Sequence, residues 1–198
     1  MKAAKRSVKN SAPSDTRPLR IIGGRWRGRK LSFPAVEGLR PTGDRIRETL
    51  FNWLAPYLPD SRCLDLFAGS GALGLEALSR GAAEVVLLER DPGAARGLKQ
   101  NLATLDSADG RVTEGDSLKW LANEPATAFD MVFIDPPFQQ QLWQASIDQL
   151  AAGDWLANEA AVYIESEPNT SFKVPAHWHL HRDKTSGQVR YRLYFLER

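Results

Sequence analysis

Five short apolar segments that alternate with helical ones after residue 61 are the feature that most constrains the fold. An alternation of this kind is typical of a parallel sheet whose strands are joined by right-handed helical crossovers. The strand-like segments are residues 63–67, 84–89, 111–116, 129–135 and 160–166, and the helical segments are residues 72–80, 93–105, 117–123 and 142–150. The pattern predicts an α/β fold built on a mostly parallel sheet.

Shorter elements flank this region on both sides. Residues 19–34 read as strand, glycine-rich turn and strand, which predicts a β-hairpin. Residues 45–58 carry a helical apolar pattern, and we expect Thr42 or Asp44 to cap this helix. After Pro175, two further strand-like segments predict an antiparallel hairpin on the edge of the sheet.

Charge is distributed unevenly along the chain. Residues 1–48 hold 13 Lys/Arg and 4 Asp/Glu, a balance of +9, whereas the remainder holds 13 and 20, a balance of −7. A basic N-terminal region in an otherwise acidic chain favours a polyanionic partner at the N-terminal end. The alternative is a solvated tail that carries the same charge without binding a partner.

In the predicted hairpin, basic residues interleaved with an aromatic one suit phosphate contact and base stacking. These residues are Arg25, Trp26, Arg27, Arg29 and Lys30. The alternative is a hairpin that only covers a sheet edge.

Composition argues against several classes of protein. No apolar run approaches the roughly 20 residues of a membrane span, and the basic N-terminus lacks the apolar segment of a secretory signal. The single cysteine, Cys63, fits a reducing compartment and lies in an apolar segment, so we expect a cytoplasmic protein with this thiol in its core. One cysteine and three scattered histidines make a zinc site improbable, and we predict no metal.

Three glycines join the first predicted strand of the α/β region to its helix. Gly69, Gly71 and Gly74 match the pattern G-x-G-x-x-G of dinucleotide-binding loops. Glu89 follows Gly69 by 20 residues, where a ribose-binding acid is expected. On this observation alone, a nicotinamide dinucleotide fits the loop.

Three acids are predicted at the carboxyl ends of neighbouring strands, the edge at which open α/β sheets bind ligands. They are Asp65, Glu89 and Asp116. Asp65 directly precedes the glycine loop, where its charge disfavours a pyrophosphate and suits a cationic ligand. A glycine turn, a ribose acceptor and an adenine-amine acceptor together favour S-adenosylmethionine. The alternative is that Glu89 and Asp116 only cap the helices that follow them.

The apolar segment 129–135 runs into Asp135-Pro136-Pro137-Phe138. This stretch resembles the (Asp/Asn)-Pro-Pro-(Phe/Tyr/Trp) motif of the class I S-adenosylmethionine-dependent methyltransferases that modify exocyclic amino groups. Such an amine is a poor nucleophile, and a carboxylate with a main-chain carbonyl can orient it and accept its hydrogen bonds as positive charge develops. The two prolines stiffen the turn, and Phe138 can stack on the base, a contact worth ~1–3 kcal/mol. The alternative is a rigid turn with a surface phenylalanine.

The N-terminal region extends this resemblance. LRIIGGRWRGRKL and LRPTGDRIRETLFNWL, together with the glycine loop and the DPPF turn, resemble the bacterial 16S rRNA (guanine-N2)-methyltransferases of the RsmD type. The resemblance implies a Rossmann-like class I methyltransferase sheet and S-adenosylmethionine as the cofactor. It also implies methylation of one guanine of 16S rRNA, in the small ribosomal subunit or an assembly intermediate of it.

The resemblance also implies roles for residues at matching positions. The cofactor-binding set is Asp65, Phe67, Gly69, Gly71, Glu89, Arg90, Asp116, Ser117 and Asp135. The catalytic set is Asp135 at the target amine, Pro136 through its carbonyl, and Phe138 against the base. The RNA-binding set adds Arg40 and Arg45 to the five hairpin residues named above. With Thr42, these two arginines would shape the entrance to the site, unless they only belong to an ion-paired helix.

These interpretations divide the chain into three parts: a disordered basic tail (1–18), an RNA-facing hairpin and helix (19–58), and a methyltransferase domain (59–198). We expect a monomer. Two other functions stay open, an adenine-N6 methyltransferase acting on DNA or RNA and a non-catalytic RNA-binding assembly factor. A dehydrogenase is the weakest alternative, because it leaves the DPPF turn without a role.

Overall fold

One large sheet and one small one organise the part of the chain that the computed structural model describes, residues 16–34, 42–123 and 127–197. In chain order the strands are β1 (Thr16–Arg20), β2 (Lys30–Pro34), β3 (Arg62–Asp65), β4 (Glu84–Glu89), β5 (Gly110–Glu114), β6 (Phe129–Ile134), β7 (Leu156–Ser166), β8 (Trp178–Ser186) and β9 (Val189–Leu196). The α-helices are α1 (Asp44–Leu54), α2 (Gly74–Ser79), α3 (Pro92–Thr104), α4 (Ser117–Leu121) and α5 (Trp143–Ala152).

The large sheet has the strand order β5-β4-β3-β6-β7-β9-β8. Strands β3 to β7 pair in parallel, and β9 lies antiparallel between β7 and β8. The predicted α/β fold with a terminal antiparallel hairpin is therefore confirmed. The chain moves outward from β3 to β5 and then returns to the other side of β3 as β6. This reversal creates a switch point between β3 and β6, the place where open α/β sheets bind ligands.

Both faces of the sheet are buried along its central strands, and side chains alternate between them. Along β6, Met131 and Phe133 join the apolar core on one face, with residues of α1, α2 and α3. Val132 and Ile134 join the core on the other face, with residues of α4 and α5. Cys63 also packs in the first core, as predicted. Because the side-chain period of a strand is two residues, Asp135 continues the face of Phe133.

The N-terminal hairpin of β1 and β2 packs against α2 and α3 through a turn that requires glycine. Gly24 has φ +74°, and a Cβ atom there would lie 1.9 Å from the backbone oxygen of Ser79. The Ser79 hydroxyl donates to the carbonyl oxygen of Gly23 (2.6 Å) and accepts from the amide of Trp26 (3.0 Å). The hairpin is thus anchored on α2 by polar contacts around one close backbone approach.

Several boundaries differ from the predicted ones. β1 begins at Thr16, so residues 16–18 of the predicted tail are strand, whereas residues 1–15 lie outside the described residues. Helix α1 has Gly43 at its N-cap without a side-chain cap, which corrects the expected cap by Thr42 or Asp44. It also ends at Leu54, four residues early. The terminal hairpin has a tight turn, because Ser186, the last residue of β8, pairs with Val189, the first residue of β9.

No helix in the described ranges combines the length and the apolar character that crossing a membrane requires.

Candidate active site

The glycine loop lies at the end of β3 and turns the chain into α2. β3 ends at Asp65, two residues earlier than predicted, and Phe67 is half-buried in the turn that follows. Gly69 (φ +52°) and Gly71 (φ +81°) adopt the left-handed conformation that favours glycine. A Cβ atom on Gly71 would lie 2.6 Å from Leu98 of α3, so the loop packs closely on the neighbouring helix.

Asp65 lies beneath this loop and is buried. Its Oδ2 accepts a 2.9 Å hydrogen bond from the amide of Gly74, at the first residue of α2. Burial raises the pKa of Asp65 to about 7, the nearby charge of Glu89 adds to the rise, and the amide hydrogen bonds from Gly74 and Phe67 oppose it. The carboxyl group is therefore held in a fixed position, with its charged form destabilised until a cation approaches.

Glu89 is the last residue of β4 and accepts two backbone hydrogen bonds. Its Oε2 accepts from the amide of Gly69 and its Oε1 from the amide of Asp91, both at 2.7 Å. It does not cap α3, because Asp91 does so through the amide of Ala94. Burial raises the pKa of Glu89. Each carboxylate oxygen keeps further acceptor capacity, so ribose hydroxyls suit this side chain. Arg90 follows it with an exposed side chain.

Asp116 and Ser117 lie beyond the end of β5 and begin α4. Asp116 caps this helix, since its Oδ1 accepts from the amide of Lys119 at 3.0 Å. Asp116 therefore does cap the helix that follows it, and a cap that uses one oxygen leaves the other for a ligand. The Ser117 hydroxyl donates to the carbonyl oxygen of Leu66, which ties the start of α4 to the end of β3.

The DPPF turn follows β6 directly, on the other side of the switch point. Asp135 is partly buried, and its Oδ2 accepts a 3.2 Å hydrogen bond from the Thr42 hydroxyl. Pro136 is buried and Pro137 exposed, and Phe138 begins a short 3-10 helix, Phe138–Gln140. The half-buried ring of Phe138 lies 5.9 Å from the ring of Trp143, centre to centre. One edge of this ring therefore packs on the protein while the turn stays at the rim of the sheet.

Glu165 is a site residue that the sequence reasoning missed. It lies in β7, the parallel neighbour of β6, and the pairing of Ile134 with Ile164 places it beside Asp135. Burial raises the pKa of Glu165 to about 7, while hydrogen bonds from Tyr163 and Thr42 oppose the rise. For Asp135, burial and then the neighbouring charges of Glu165 and Asp65 raise the pKa well above its ordinary value. The signal was present in the sequence, as an acid near the end of the fifth predicted strand.

The predicted RNA-binding residues differ in their availability. Trp26 is buried at 9% exposure, with the Arg25 guanidinium 4.2 Å from its ring centre, which corrects its expected stacking on a base. Arg25 pairs with Asp109 (3.0 Å). Arg29 donates to the carbonyl oxygen of Thr104 (2.7 Å). The remaining exposed members are Arg27, Lys30 and Arg45, and Arg40 lies outside the described residues. The hairpin thus combines structural anchoring with a few exposed basic side chains.

The acids at the sheet edge have no basic partner within the described ranges. The ion pairs found there involve other acids, such as Glu76 with Arg47 and Arg80. Buried carboxylates without counterions favour a cationic ligand, because its charge would offset both their desolvation and their mutual repulsion. S-adenosylmethionine carries a sulfonium and an ammonium group, together with a ribose and an adenine amine. The chemistry of this set of acceptors therefore fits that ligand.

Comparisons with known proteins agree with this geometry. The model of the family described as Conserved hypothetical protein 95 matches residues 19–195. The chain is 52% identical to Ribosomal RNA small subunit methyltransferase D of Escherichia coli K12, over 94% of each chain. It is 49% identical to the protein of the same name from Haemophilus influenzae, over 94% of this chain and 98% of the relative.

A solved structure described as a putative methyltransferase is also similar to this chain. The Escherichia coli protein yhhF shares 54% identity with this chain and superposes with a TM-score of 0.83, over 91% of this chain and 99% of that one. The family resemblance drawn from the sequence is confirmed. The chain therefore belongs to the Conserved hypothetical protein 95 family, as a close relative of the ribosomal RNA small subunit methyltransferase D proteins.

Proposed function

We propose that this protein transfers a methyl group from S-adenosylmethionine to the exocyclic N2 of one guanine in 16S rRNA of the small ribosomal subunit. The observation that carries the proposal is the position of Asp135 and Phe138 at the switch point, with Asp65 and Glu89 at the carboxyl ends of β3 and β4, where neither acid has a basic partner among the described residues. The printed names of relatives that are 52% and 49% identical support the ribosomal RNA substrate. Neither adenine methylation nor a purely assembly-related role is favoured by these names.

The donor would lie along the carboxyl edge of the sheet. S-adenosylmethionine supplies an electrophilic methyl group on a positively charged sulfur. Asp65 and the amides of the Gly69–Gly71 turn suit its methionine end, since Asp65 is an acid and the turn brings backbone close to any ligand. Glu89 would accept from the ribose hydroxyls and Asp116 from the adenine amine. Phe67, Arg90 and Ser117 complete the proposed donor-binding set.

The acceptor base would lie against the DPPF turn. Its N2 lone pair is delocalised into the ring, so the amine reacts only if it is aimed at the methyl carbon. Asp135 and the carbonyl oxygen of Pro136 would accept hydrogen bonds from the amine and take up the positive charge that develops on it. Phe138 would hold the base by stacking, which is worth ~1–3 kcal/mol. A misplacement of about 1 Å would cost on the order of 100-fold in rate, so a stiff turn suits this task.

RNA would approach from the side of the N-terminal hairpin. Arg27, Lys30 and Arg45 carry exposed charges there, and phosphate contacts of this kind supply most of the non-specific affinity for nucleic acid. The target guanine must be unstacked or already unpaired to reach the donor. We also propose that the substrate is a protein-bearing small-subunit particle, that the enzyme acts as a monomer, and that it works in the cytoplasm.

The test is a methyl-transfer assay with labelled S-adenosylmethionine and small-subunit particles purified from cells that lack the modification. We expect label in N2-methylguanosine of 16S rRNA after nucleoside analysis. Asp135→Ala should abolish transfer while changing S-adenosylmethionine affinity by no more than a few fold. Label in 6-methyladenosine would replace the guanine assignment with the adenine one, and RNA binding without any label would indicate an assembly factor.

A further inference from the structure

We propose that five side chains between α1 and the terminal hairpin form a second contact surface for 16S rRNA, on which unpaired nucleotides near the target guanine stack. We call this surface the aromatic strip, and its members are Trp53, Tyr57, His181, Lys184 and Phe195. The inference rests on the proposed function, because it assigns a path over the protein to the RNA strand that carries the target guanine. The strip is separate from the exposed cations of the N-terminal hairpin.

Contacts between rings, and between one ring and one cation, hold the strip in a fixed arrangement. The ring centre of Tyr57 lies 4.7 Å from that of Phe195, and His181 meets the same phenylalanine ring edge-on at 5.0 Å. The ammonium nitrogen of Lys184 lies 5.6 Å from the centre of the Trp53 ring. Because Trp53 and Tyr57 are only four residues apart, the two groups of contacts lie next to each other.

The strip is accessible to a partner, although its rings are apolar. Tyr57 is 49% exposed, and Trp53 and Phe195 are half-buried against the core beneath them. In the part of the chain that the structure describes, the other large apolar side chain with comparable exposure is Leu180, on the opposite face of β8. Apolar side chains that lie together at the surface are typical of binding sites, whereas scattered ones are not.

The charges on the strip favour RNA as the partner. Lys184 and Arg182 pair in register with residues of the first core, so both cations project to the face of the strip. Asp183 lies between them and projects to the opposite face, where it pairs with Arg190. Cations beside exposed rings suit single-stranded nucleic acid, because the rings stack on bases and the cations contact phosphates.

The register of the sheet aligns the strip with the candidate active site. Asp135 lies beside Glu165 of β7. Glu165 pairs with Tyr191 of β9, which in turn pairs with Lys184 of β8. Three strand spacings of about 4.8 Å therefore separate Asp135 from Lys184, a distance of about 14 Å. This distance corresponds to about four nucleotides of a stacked strand at roughly 3.4 Å each. A strand whose guanine reaches Asp135 would thus bring nearby nucleotides to the strip.

Helix α1 extends from the candidate active site to the strip. Thr42, just before the helix, donates to Asp135, and Trp53, near its end, stacks on Tyr191 with 5.4 Å between ring centres. Arg45 precedes Trp53 by eight residues, a spacing that keeps both on one side of a helix. Since Arg45 is exposed, a phosphate-binding cation lies along the path from the target base to the strip.

The test changes exposed members of the strip and leaves the core intact. Tyr57→Ala removes a ring, and Tyr57→Phe keeps it. Lys184→Glu reverses a charge, and Lys184→Arg keeps it. The matched apolar control is Leu180→Ala, which changes an equally exposed side chain on the opposite face of the same strand. The matched charge control is Lys99→Glu, at an exposed position of α3.

For each variant we would measure KM and kcat with small-subunit particles that lack the modification, and S-adenosylmethionine affinity by calorimetry. Tyr57→Ala should raise KM about fivefold or more, the loss expected for one stacked base. Lys184→Glu should also raise KM, and it should lower the salt dependence of particle binding by about one unit of slope or slightly less. The kcat at saturation and the donor affinity should stay within about twofold, because the strip lies about 14 Å from Asp135.

The conservative variants Tyr57→Phe and Lys184→Arg should behave like the parent protein, and so should both controls. Tyr57→Ala and Lys184→Glu should also weaken binding to protein-free 16S rRNA. This second substrate distinguishes an RNA contact from a contact with a ribosomal protein.

Two results would overturn the inference. If Tyr57→Ala and Lys184→Glu kept the KM and the salt slope of the parent protein, the strip would not contact the particle. If they weakened binding to particles but not to protein-free 16S rRNA, the strip would contact a ribosomal protein instead. A parent protein that binds particles but transfers no label would refute the proposed function and leave these binding comparisons intact, so the two failures are distinguishable.

Discussion

The amide of Gly69 donates a 2.7 Å hydrogen bond to Oε2 of Glu89, and this bond joins the glycine loop after β3 to the end of β4. The two residues are 20 positions apart in the chain. One side chain thus holds the loop in its conformation and also offers acceptors to a ligand at the sheet edge. A change at Glu89 is therefore expected to alter both the loop and the binding of the donor.

Glu89→Gln should weaken S-adenosylmethionine binding and loosen the glycine loop, because only one of the two backbone hydrogen bonds that Glu89 accepts can be kept. The amide keeps one acceptor oxygen but loses the charge, and hydrogen bonds to a charged group are worth about 1.5–3 kcal/mol, or roughly 10- to 150-fold in affinity. Calorimetric titration of the donor checks this expectation. Glu114→Gln, an exposed acid at the end of the adjacent strand β5, should bind the donor like the parent protein. Equal affinity in both variants would exclude Glu89 from the donor site.

The sequence predicts the elements that carry the site because each has a local cause. Alternating apolar segments specify the strands, and three glycines in six positions specify the loop. The acids Asp65, Glu89 and Asp135 then follow from the rule that parallel strands end at one edge. All three lie at the carboxyl edge of the sheet, where that rule places them: Asp65 ends β3, Glu89 ends β4 and Asp135 follows β6.

Contacts between distant segments could not be predicted in the same way. Thr42 is a residue type that commonly caps helices, and the sequence predicts that role for it. Only the packing of the N-terminal region against the sheet brings it to Asp135, 93 positions away. Trp26 is an aromatic residue among basic ones, which predicts stacking on a base. The hairpin packs on α2, however, and this packing buries the ring of Trp26. Glu165 depends on the register of β6 against β7. In each case long-range packing decides the role of the residue.

Gly24→Ala should destabilise the protein more than Gly28→Ala. Both glycines have a positive φ, which costs a residue with a side chain about 1–3 kcal/mol. A Cβ on Gly24 would in addition lie 1.9 Å from the backbone oxygen of Ser79, whereas a Cβ on Gly28 meets nothing within 4 Å. Urea denaturation should show a larger loss of unfolding free energy for Gly24→Ala. Equal losses would mean that the hairpin moves away from α2 without cost.

Charge reversal at Arg27 and Lys30 should weaken RNA binding. Both side chains are exposed on the hairpin, whereas Arg25 and Arg29 are engaged with Asp109 and Thr104. Each lost phosphate contact should lower the salt dependence of binding, by about one unit of slope or slightly less. Affinity for particles or 16S rRNA is measured at several salt concentrations.

The control for this change is a second double reversal of the same charge. Lys119→Glu with Lys173→Glu alters two exposed lysines, one in α4 and one that contacts α5 through its backbone. This variant should bind RNA with the salt slope of the parent protein. If both double variants lowered the slope equally, net charge would explain the effect, and the hairpin would not be the RNA-facing surface.

The stability of the ligand-free protein should fall as the pH rises through about 7, in part because of Asp65. Burial raises the pKa of this carboxyl group well above its ordinary value, to about 7. Its stabilising contribution is therefore complete below the unfolded value and is lost as the pH rises through the folded value. Asp65→Asn keeps an acceptor for the Gly74 amide but cannot ionise, so unfolding free energies measured by urea denaturation between about pH 5 and pH 8 should vary less. The exposed Asp154→Asn should follow the parent curve, and an unchanged curve for Asp65→Asn would show that this carboxyl group is already ionised at low pH.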